Sequence, residues 1–399
     1  MRATYDAIII GAGAAGLYAA LNAGRRGRRV LVLDHNAEPG AKILISGGGR
    51  CNFTNVHAGD HARYLSENPH FARSALTRHP PSEFIALAEK HGIAYYEKTL
   101  GQLFCEGARS AHKIVRMLID ECAAAGVTIK LGCMINAVRR NECFAVDTNL
   151  GAFESETMTI ASGGLAIPKL GASGIAFALA DQFAIPVAPP RPGLVPLTFA
   201  EPDLLWMRPL SGASTRVLAR CGNAAFLEGA LFTHRGLSGP AVLQVSSYWR
   251  AGERINIDWA PEASLDKFLT RKRERPRSSL KTALAELLPD RLAQALAARA
   301  SEIAQSSDTA LGDIKDATLL DIARALKTWP LTPVGTEGYA KAEVMVGGID
   351  TAALSQQTLE CRLVKGLFFI GECVDVTGWL GGYNFQWAWS SAAAAAVAI

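Results

Sequence analysis

Asp6-Ala7-Ile8-Ile9-Ile10-Gly11-Ala12-Gly13-Ala14-Ala15-Gly16 opens the chain, and one helix length later comes Arg29-Val30-Leu31-Val32-Leu33-Asp34. The first five residues form a short apolar β run. Gly11 to Gly16 is a GxGxxG turn, and Leu17, Ala20, Leu21 and Gly24 then recur at helical spacing. The second apolar run closes on an acid. Each part has a physical role. Gly11 permits the tight turn, Gly13 admits a pyrophosphate to the backbone, and Gly16 lets helix and strand approach. The helix start offers unpaired N–H groups and the positive end of its dipole to phosphates. Asp34 is placed to accept from ribose hydroxyls. Strand, turn, helix and closing acid agree on a dinucleotide site. They leave NAD and FAD undecided.

At 399 residues, the chain is long enough for two domains. A composition 49% hydrophobic and 20% charged, with 37 glycines, fits an α/β protein rather than a disordered or fibrous one. The net charge of +4 suits an anionic cofactor and does not require nucleic acid. Eight scattered cysteines without a CxxC pair argue against a disulfide framework and a zinc site, and favour a reducing compartment. No signal peptide or membrane-length apolar run is apparent, so the expected location is cytoplasmic.

After Asp34, Ser46-Gly47-Gly48-Gly49-Arg50-Cys51-Asn52 sits in a loop-like stretch dense in donors, as expected of a segment facing an anion or flavin. Residues 69–125 read as mostly helical. A strand is expected at 127–131, a hairpin around Asn149-Leu150-Gly151, and a further strand at 157–161 running into Ser162-Gly163-Gly164. The cluster Pro186, Pro189, Pro190 and Pro192 marks a boundary. Beyond it come β-like pieces at 194–199, 214–219, 225–232, 241–246 and 254–259, then helical periodicity from 265 to 329. This predicts an inserted α+β domain. The basic run Arg271-Lys272-Arg273-Glu274-Arg275-Pro276-Arg277 lacks interleaved aromatics and reads as a solvated connector.

The C-terminal end decides the cofactor. Residues 366–370 are a buried β run leading to Gly371-Glu372 and Asp375. Gly381-Gly382-Tyr383-Asn384-Phe385 then opens an alanine-rich helix. An aspartate beyond a buried strand suits a ribityl hydroxyl, and a helix start suits the negative charge that develops on a reduced flavin ring.

At these residues the chain resembles the aminoacetone oxidase family of bacterial FAD-binding flavoproteins, which includes a bile-acid dehydrosteroid reductase. Besides the first turn, the stretch from Lys42 to Asn55 and the closing motif from Gly371 to Trp389, the likeness rests on Gly163-Gly164 through Gly174 and on Phe232-Thr233-His234-Arg235-Gly236-Leu237-Ser238-Gly239-Pro240. It implies an α/β fold: a glutathione-reductase-like FAD-binding Rossmann domain over 1–190 and 337–399, interrupted by a β-barrel-like plus helical substrate domain over 191–336. It also implies cofactor contacts at Gly11, Gly13, Ala14, Ala15, Gly16, Asp34, His35, Lys42, Gly48, Gly49, Arg50, Cys51, Asn52, Ile135, Ser162, Gly163, Gly371, Glu372, Asp375, Gly381, Gly382, Tyr383, Asn384 and Phe385. The third motif departs from the family at Leu165, Ile167 and Ile175-Ala176, on the substrate side.

No GxSxG, HExxH or GxxxxGK occurs, so a hydrolase elbow, a zincin and a P-loop have no support, and no metal is expected. Cys51 beside Arg50, His234 and Tyr383 are the candidates for direct chemistry. The expected function is FAD-dependent hydride transfer on a small organic substrate, by amine oxidation or C=C reduction, with the insert covering the flavin. NAD(P)H serves at most as a transient donor, because only one dinucleotide turn is present. Two alternatives stand beside it: a flavin-dependent RNA-modifying enzyme, motivated by the positive charge and the basic run, and a non-catalytic flavin redox sensor. The sequence is silent on oligomeric state.

Overall fold

The apolar run before the first glycine turn becomes the strand Ala3–Ile10 at the centre of a sheet, with Ala7, Ile8 and Ile9 fully buried. A computed structural model describes residues 3–304 and 309–399 of the chain, which divides into two compact units, 1–192 with 343–399, and 193–342.

In the first unit, Thr128–Lys130, Val30–Leu33, Ala3–Ile10, Gly151–Ile160 and Leu367–Phe369 lie side by side in parallel. Buried parallel strands need apolar residues on both faces, which explains the unbroken Val30-Leu31-Val32-Leu33 and Leu367-Phe368-Phe369 runs. Gly151–Ile160 is one long strand rather than a hairpin arm plus a separate strand. Its first half pairs antiparallel with Phe144–Thr148, while register with the first strand runs from Ala3↔Phe153 to Ile10↔Ile160. Ile135–Arg140 adds a further antiparallel strand.

The helix Ala14–Arg25 packs against Ala111–Ala124 and the closing helix Tyr383–Ala396. Small side chains make the second contact close: Ala19, Ala20, Ala23, Ala392 and Ala395 are fully buried. Tyr18 meets Trp389 edge-on at 5.5 Å, and Trp389 stacks on Phe84 at 4.1 Å. Residues 69–125 are less helical than periodicity predicts. Between the helices Arg73–Arg78, Pro81–Lys90 and Ala111–Ala124 lie two strands, Tyr95–Glu97 and Gln102–Cys105, which complete a small sheet with Asn52–Asn55. The expected loop after Asp34 contains a helical element, Ala41–Gly49, interrupted where Ser46, Gly47 and Gly48 leave helical backbone angles.

The second unit carries a seven-stranded antiparallel sheet, ordered Trp329–Leu331, Ile255–Asp258, Ser214–Cys221, Ala224–Thr233, Gly236–Ser238, Leu197–Thr198, Gly335–Thr336. Among the described residues no pairing joins its outer strands, so an open sheet replaces the expected barrel-like one. Trp259, stacked on Phe232 at 5.5 Å, fills its core. The β-like piece at 241–246 is the helix Pro240–Ser246: proline at the first helical position and a buried Ala241, Val242 and Val245 face favour helix over strand. The basic run lies largely on the helix Lys267–Glu274, where Arg271 pairs with Glu286 and Lys272 with Asp316. It is part of the folded unit rather than a free connector. Residues 305–308 of the expected insert lie outside the described residues. Among the described residues no helix is long and apolar enough to cross a membrane.

Candidate flavin site at the strand ends

All five parallel strands end on the same edge, and ligands of open α/β sheets bind beyond the carboxyl ends of such strands. The segments that leave this edge are Gly11–Gly16, Asp34, residues 131–135, Ala161-Ser162-Gly163 and Gly371-Glu372, each brought there from a different part of the chain.

The three glycines of the first turn differ in what surrounds them. A Cβ on Gly11 would lie 2.4 Å from the Ala161 carbonyl oxygen, in a backbone with φ +112°. One on Gly16 would lie 1.8 Å from the Gly11 oxygen. Protein packing therefore demands both glycines. Gly13 is half-buried, caps the helix Ala14–Arg25, and its Cβ position meets no atom within 4 Å. The protein leaves that space open where a pyrophosphate would approach the helix start. Across the edge, the Ser162 hydroxyl is buried without a hydrogen-bond partner among the described residues, and Gly163 also faces open space. A buried hydroxyl left unpaired carries a desolvation cost that a polar ligand group removes. These features fit a dinucleotide cofactor.

Asp34 is held in place by backbone donors. Its Oδ2 accepts from the Ala12 N–H at 2.6 Å and its Oδ1 from the Asn36 N–H at 2.8 Å, leaving each oxygen a further acceptor site. His35 lies beside it, with Nδ1 3.7 Å from Asp34. Residues 131–135 run alongside, since Gly132 and Cys133 donate to the Asn36 and Asp34 carbonyls, and Ile135 then enters a strand.

Lys42 is ion-paired with Glu372 at 2.6 Å, and Glu372 also accepts from the Met345 N–H. These two residues tie the segment after the second strand to the closing motif. The Asn384 side chain accepts from the Gly378 N–H and donates to the Gly378 carbonyl, closing its own turn. Asn52, with its amide oriented to suit its neighbours, donates to the Leu103 and Thr54 carbonyls and accepts from the Gly382 N–H. Contacts to a ligand here fall to the backbone N–H groups of the helix's first turn, which have no acceptor within the helix.

Cys51 is corrected as a chemical candidate. Its thiol is fully buried, and burial pushes its pKa well above the usual range. Arg50 turns away to donate to the Tyr96 hydroxyl, so adjacency in sequence brings no activation. None of the eight cysteines is disulfide-bonded. His234 is exposed in a turn of the second unit. Asp375 is buried and accepts from the Glu67 N–H at 2.8 Å, and burial raises its pKa.

One neighbour escaped the sequence reading altogether. Arg63 donates to the Tyr383 hydroxyl at 2.6 Å, with its guanidinium 5.4 Å from the Trp379 ring centre. Tyr64-Leu65 pairs with Thr377-Gly378 and brings Arg63 there. No motif marks Arg63; only an arginine beside a tyrosine hints at it.

The HI0933-like protein Rossmann domain family matches residues 5–398. The chain is 50% identical over 395 residues (98% of this chain, 97% of the relative) to a protein of Escherichia coli K12 named ribosomal RNA dihydrouridine synthase. It is 30% identical over 401 residues, 96% of both chains, to a Clostridium scindens 3-dehydro-bile acid delta(4,6)-reductase. A solved structure of Mycobacterium smegmatis Sdh1 with UQ1 shares the fold at TM-score 0.50 and 16% identity, covering 99% of this chain and 68% of that one. With the match running nearly end to end over the sheet and the strand-end site described above, the chain belongs to the HI0933-like family of Rossmann-type, FAD-binding oxidoreductases.

Proposed function

We propose that this protein is an FAD-dependent reductase that converts a uridine of ribosomal RNA to dihydrouridine. The observation that carries this is the 50% identity, across 98% of the chain, to a protein named for that activity. It moves the expected substrate from a small molecule to RNA. The strand-end site supports the cofactor: an open Gly13 and an unpartnered Ser162 fit a bound dinucleotide, and neither is explained by packing.

In this proposal the N–H groups at the start of the helix Ala14–Arg25 hold the pyrophosphate. Asp34 holds the ribose, the backbone around Ile135 the adenine, and Ser162-Gly163 and Asp375 the ribityl side. The first turn of the helix Tyr383–Ala396 stabilises negative charge on the reduced ring. When bound and reduced by an external two-electron donor, FAD would supply the hydride for one carbon of the uracil C5=C6 bond. The other carbon takes a proton, and Tyr383 is our candidate to deliver it. Arg63 donates to its oxygen, which orients the phenol and stabilises the charge left when the proton departs.

The test is direct. Purified protein, unmodified ribosomal RNA and NADPH or dithionite should give a uridine heavier by two hydrogens on nucleoside mass spectrometry. Reduction of a steroid enone with no change in RNA would favour the second reading, C=C reduction on a small molecule, which the 30% identity to the bile-acid reductase supports.

A further inference from the structure

Beside the helix Arg73–Arg78, still within the first unit, lies an open depression of about 490 Å³ lined by His70, Arg73, Ser74, Thr77, Arg78 and Gln356. Every lining side chain can donate a hydrogen bond, two are guanidinium cations, and no carboxylate is among them. Such a lining selects an anion.

The depression is also held in shape. Arg78 donates to the Gln357 carbonyl, and the Gln356 amide donates to the His70 carbonyl at 2.7 Å, pinning residues 356–357 to the helix. Arg73 is exposed, and its guanidinium has no protein partner among the described residues. A guanidinium kept free of acids beside a braced one is arranged for phosphate oxygens.

Its position in the chain links it to the candidate flavin site. The same segment, 60–78, sets Arg63 on Tyr383 and the Glu67 N–H on Asp375 before reaching the helix. His61 and His70 approach each other at 3.4 Å between ring nitrogens, between those two ends. One continuous segment of chain therefore carries both the partner of the candidate proton donor and much of the lining of the depression. A lone small anion would need an enclosed cup. A shallow, open row of donors suits a chain of phosphates.

We infer that this depression is a phosphate-binding subsite for the RNA backbone flanking the reacting base. The inference rests on the RNA function proposed above.

The test uses the flavin-loaded full chain and a single-stranded ribosomal RNA fragment, with binding followed by fluorescence anisotropy from low to physiological salt. The double variant Arg73→Gln/Arg78→Gln should bind on the order of tenfold more weakly. The slope of log affinity against log salt should become shallower by about 1.4, roughly 0.7 for each lost phosphate contact on a single strand. Because Arg78 also braces Gln357, Arg73→Gln alone is the cleaner variant, with a slope loss of about 0.7 and an unchanged unfolding midpoint and flavin absorbance. Arg116→Gln, an equal charge loss on the helix Ala111–Ala124, should leave affinity in place.

If wild type makes dihydrouridine and Arg73→Gln keeps the wild-type slope, the subsite falls and the function stands. If wild type neither binds nor modifies ribosomal RNA at low salt, both fall. If inorganic phosphate at matched ionic strength saturates the depression without weakening RNA binding, it is a small-anion site and the RNA assignment is overturned.

Discussion

A Cβ added to Gly13, in the N-terminal turn, meets no atom within 4 Å, whereas one added to Gly382, in the C-terminal turn, falls 2.3 Å from the Thr54 carbonyl oxygen. Its neighbour Gly381 is confined less tightly, by a side chain, with its Cβ position 2.8 Å from the Gln102 amide nitrogen. Both turns precede a helix, and both read from sequence as places where backbone meets a cofactor. Only the first contains a glycine whose missing side chain no protein atom accounts for. In the second, the glycines let the chain pass close to the Asn52–Asn55 strand, at a φ of +96° for Gly382 that L side chains rarely adopt. A ligand there meets what the turn presents, the helix's first N–H groups, rather than space left by glycine.

The sharpest way to break this contrast is to place valine in both turns. Gly382→Val should cost at least about 3 kcal/mol through strain and overlap with Thr54, and should leave little folded protein at 37 °C. Gly13→Val should lower stability by only about 1 kcal/mol yet purify colourless. Thermal unfolding and the flavin absorbance band read both. A yellow Gly13→Val protein would remove the assignment of the first turn.

The Lys42–Glu372 tie joins the two regions. Glu372→Ala leaves Lys42 unpaired and the Met345 N–H without its acceptor, and should cost about 2 kcal/mol in urea unfolding. A cost below about 0.5 kcal/mol would show that the turns hold their places independently.

Behind the first turn, Glu121 accepts from Arg25, Lys90 and His91, and these hydrogen bonds, His91's foremost, lower its pKa from 4.5 to about 2. A depressed carboxylate stabilises the fold above its unfolded pKa, and that contribution is lost as pH falls from 4.5 toward 2. Allowing for solvent around the partly exposed Arg25 and Lys90, the contribution is about 1–2 kcal/mol. Glu121→Gln should flatten the acid limb of the stability curve in that window and leave flavin affinity unchanged.

The smallest effect is at Ser162. Removing its unpartnered hydroxyl with Ser162→Ala should leave the apoprotein as stable or up to about 1 kcal/mol more so, while flavin affinity drops by up to about tenfold. Calorimetry on apoprotein and on flavin titration separates the two. Equal affinity would mean that the hydroxyl is not a cofactor contact.

Much of the first unit was readable because its signals are local. Apolar runs bounded by Gly11 and Asp34 can only be buried strands with a turn between them, and Pro240 aside, the larger errors fall where context overrides pattern. Tyr95–Glu97 and Gln102–Cys105 are too short to show a period, and their pairing with Asn52–Asn55 lies about fifty residues away. The same holds at the candidate site. Gly13 and Asp34 announce themselves, but Arg63 reaches Tyr383 through the pairing of Tyr64 with Gly378, from the far end of the chain, which nothing local encodes.

Cys51 shows the limit from the other side. Next to Arg50 in sequence it suggests an activated thiol, yet the thiol is buried, burial raises its pKa, and Arg50 turns to the Tyr96 hydroxyl instead. By itself, the order of residues determined the strand–turn–helix unit and the acid that ends it, because hydrophobic period, glycine and helix-start chemistry act over a few residues. Only the tertiary structure decided which glycine faces open space, which side chains are already engaged by other protein groups, and which cation stands beside the tyrosine. Those are questions of what lies within a few ångströms, and neighbours in space come from pairings that span hundreds of residues.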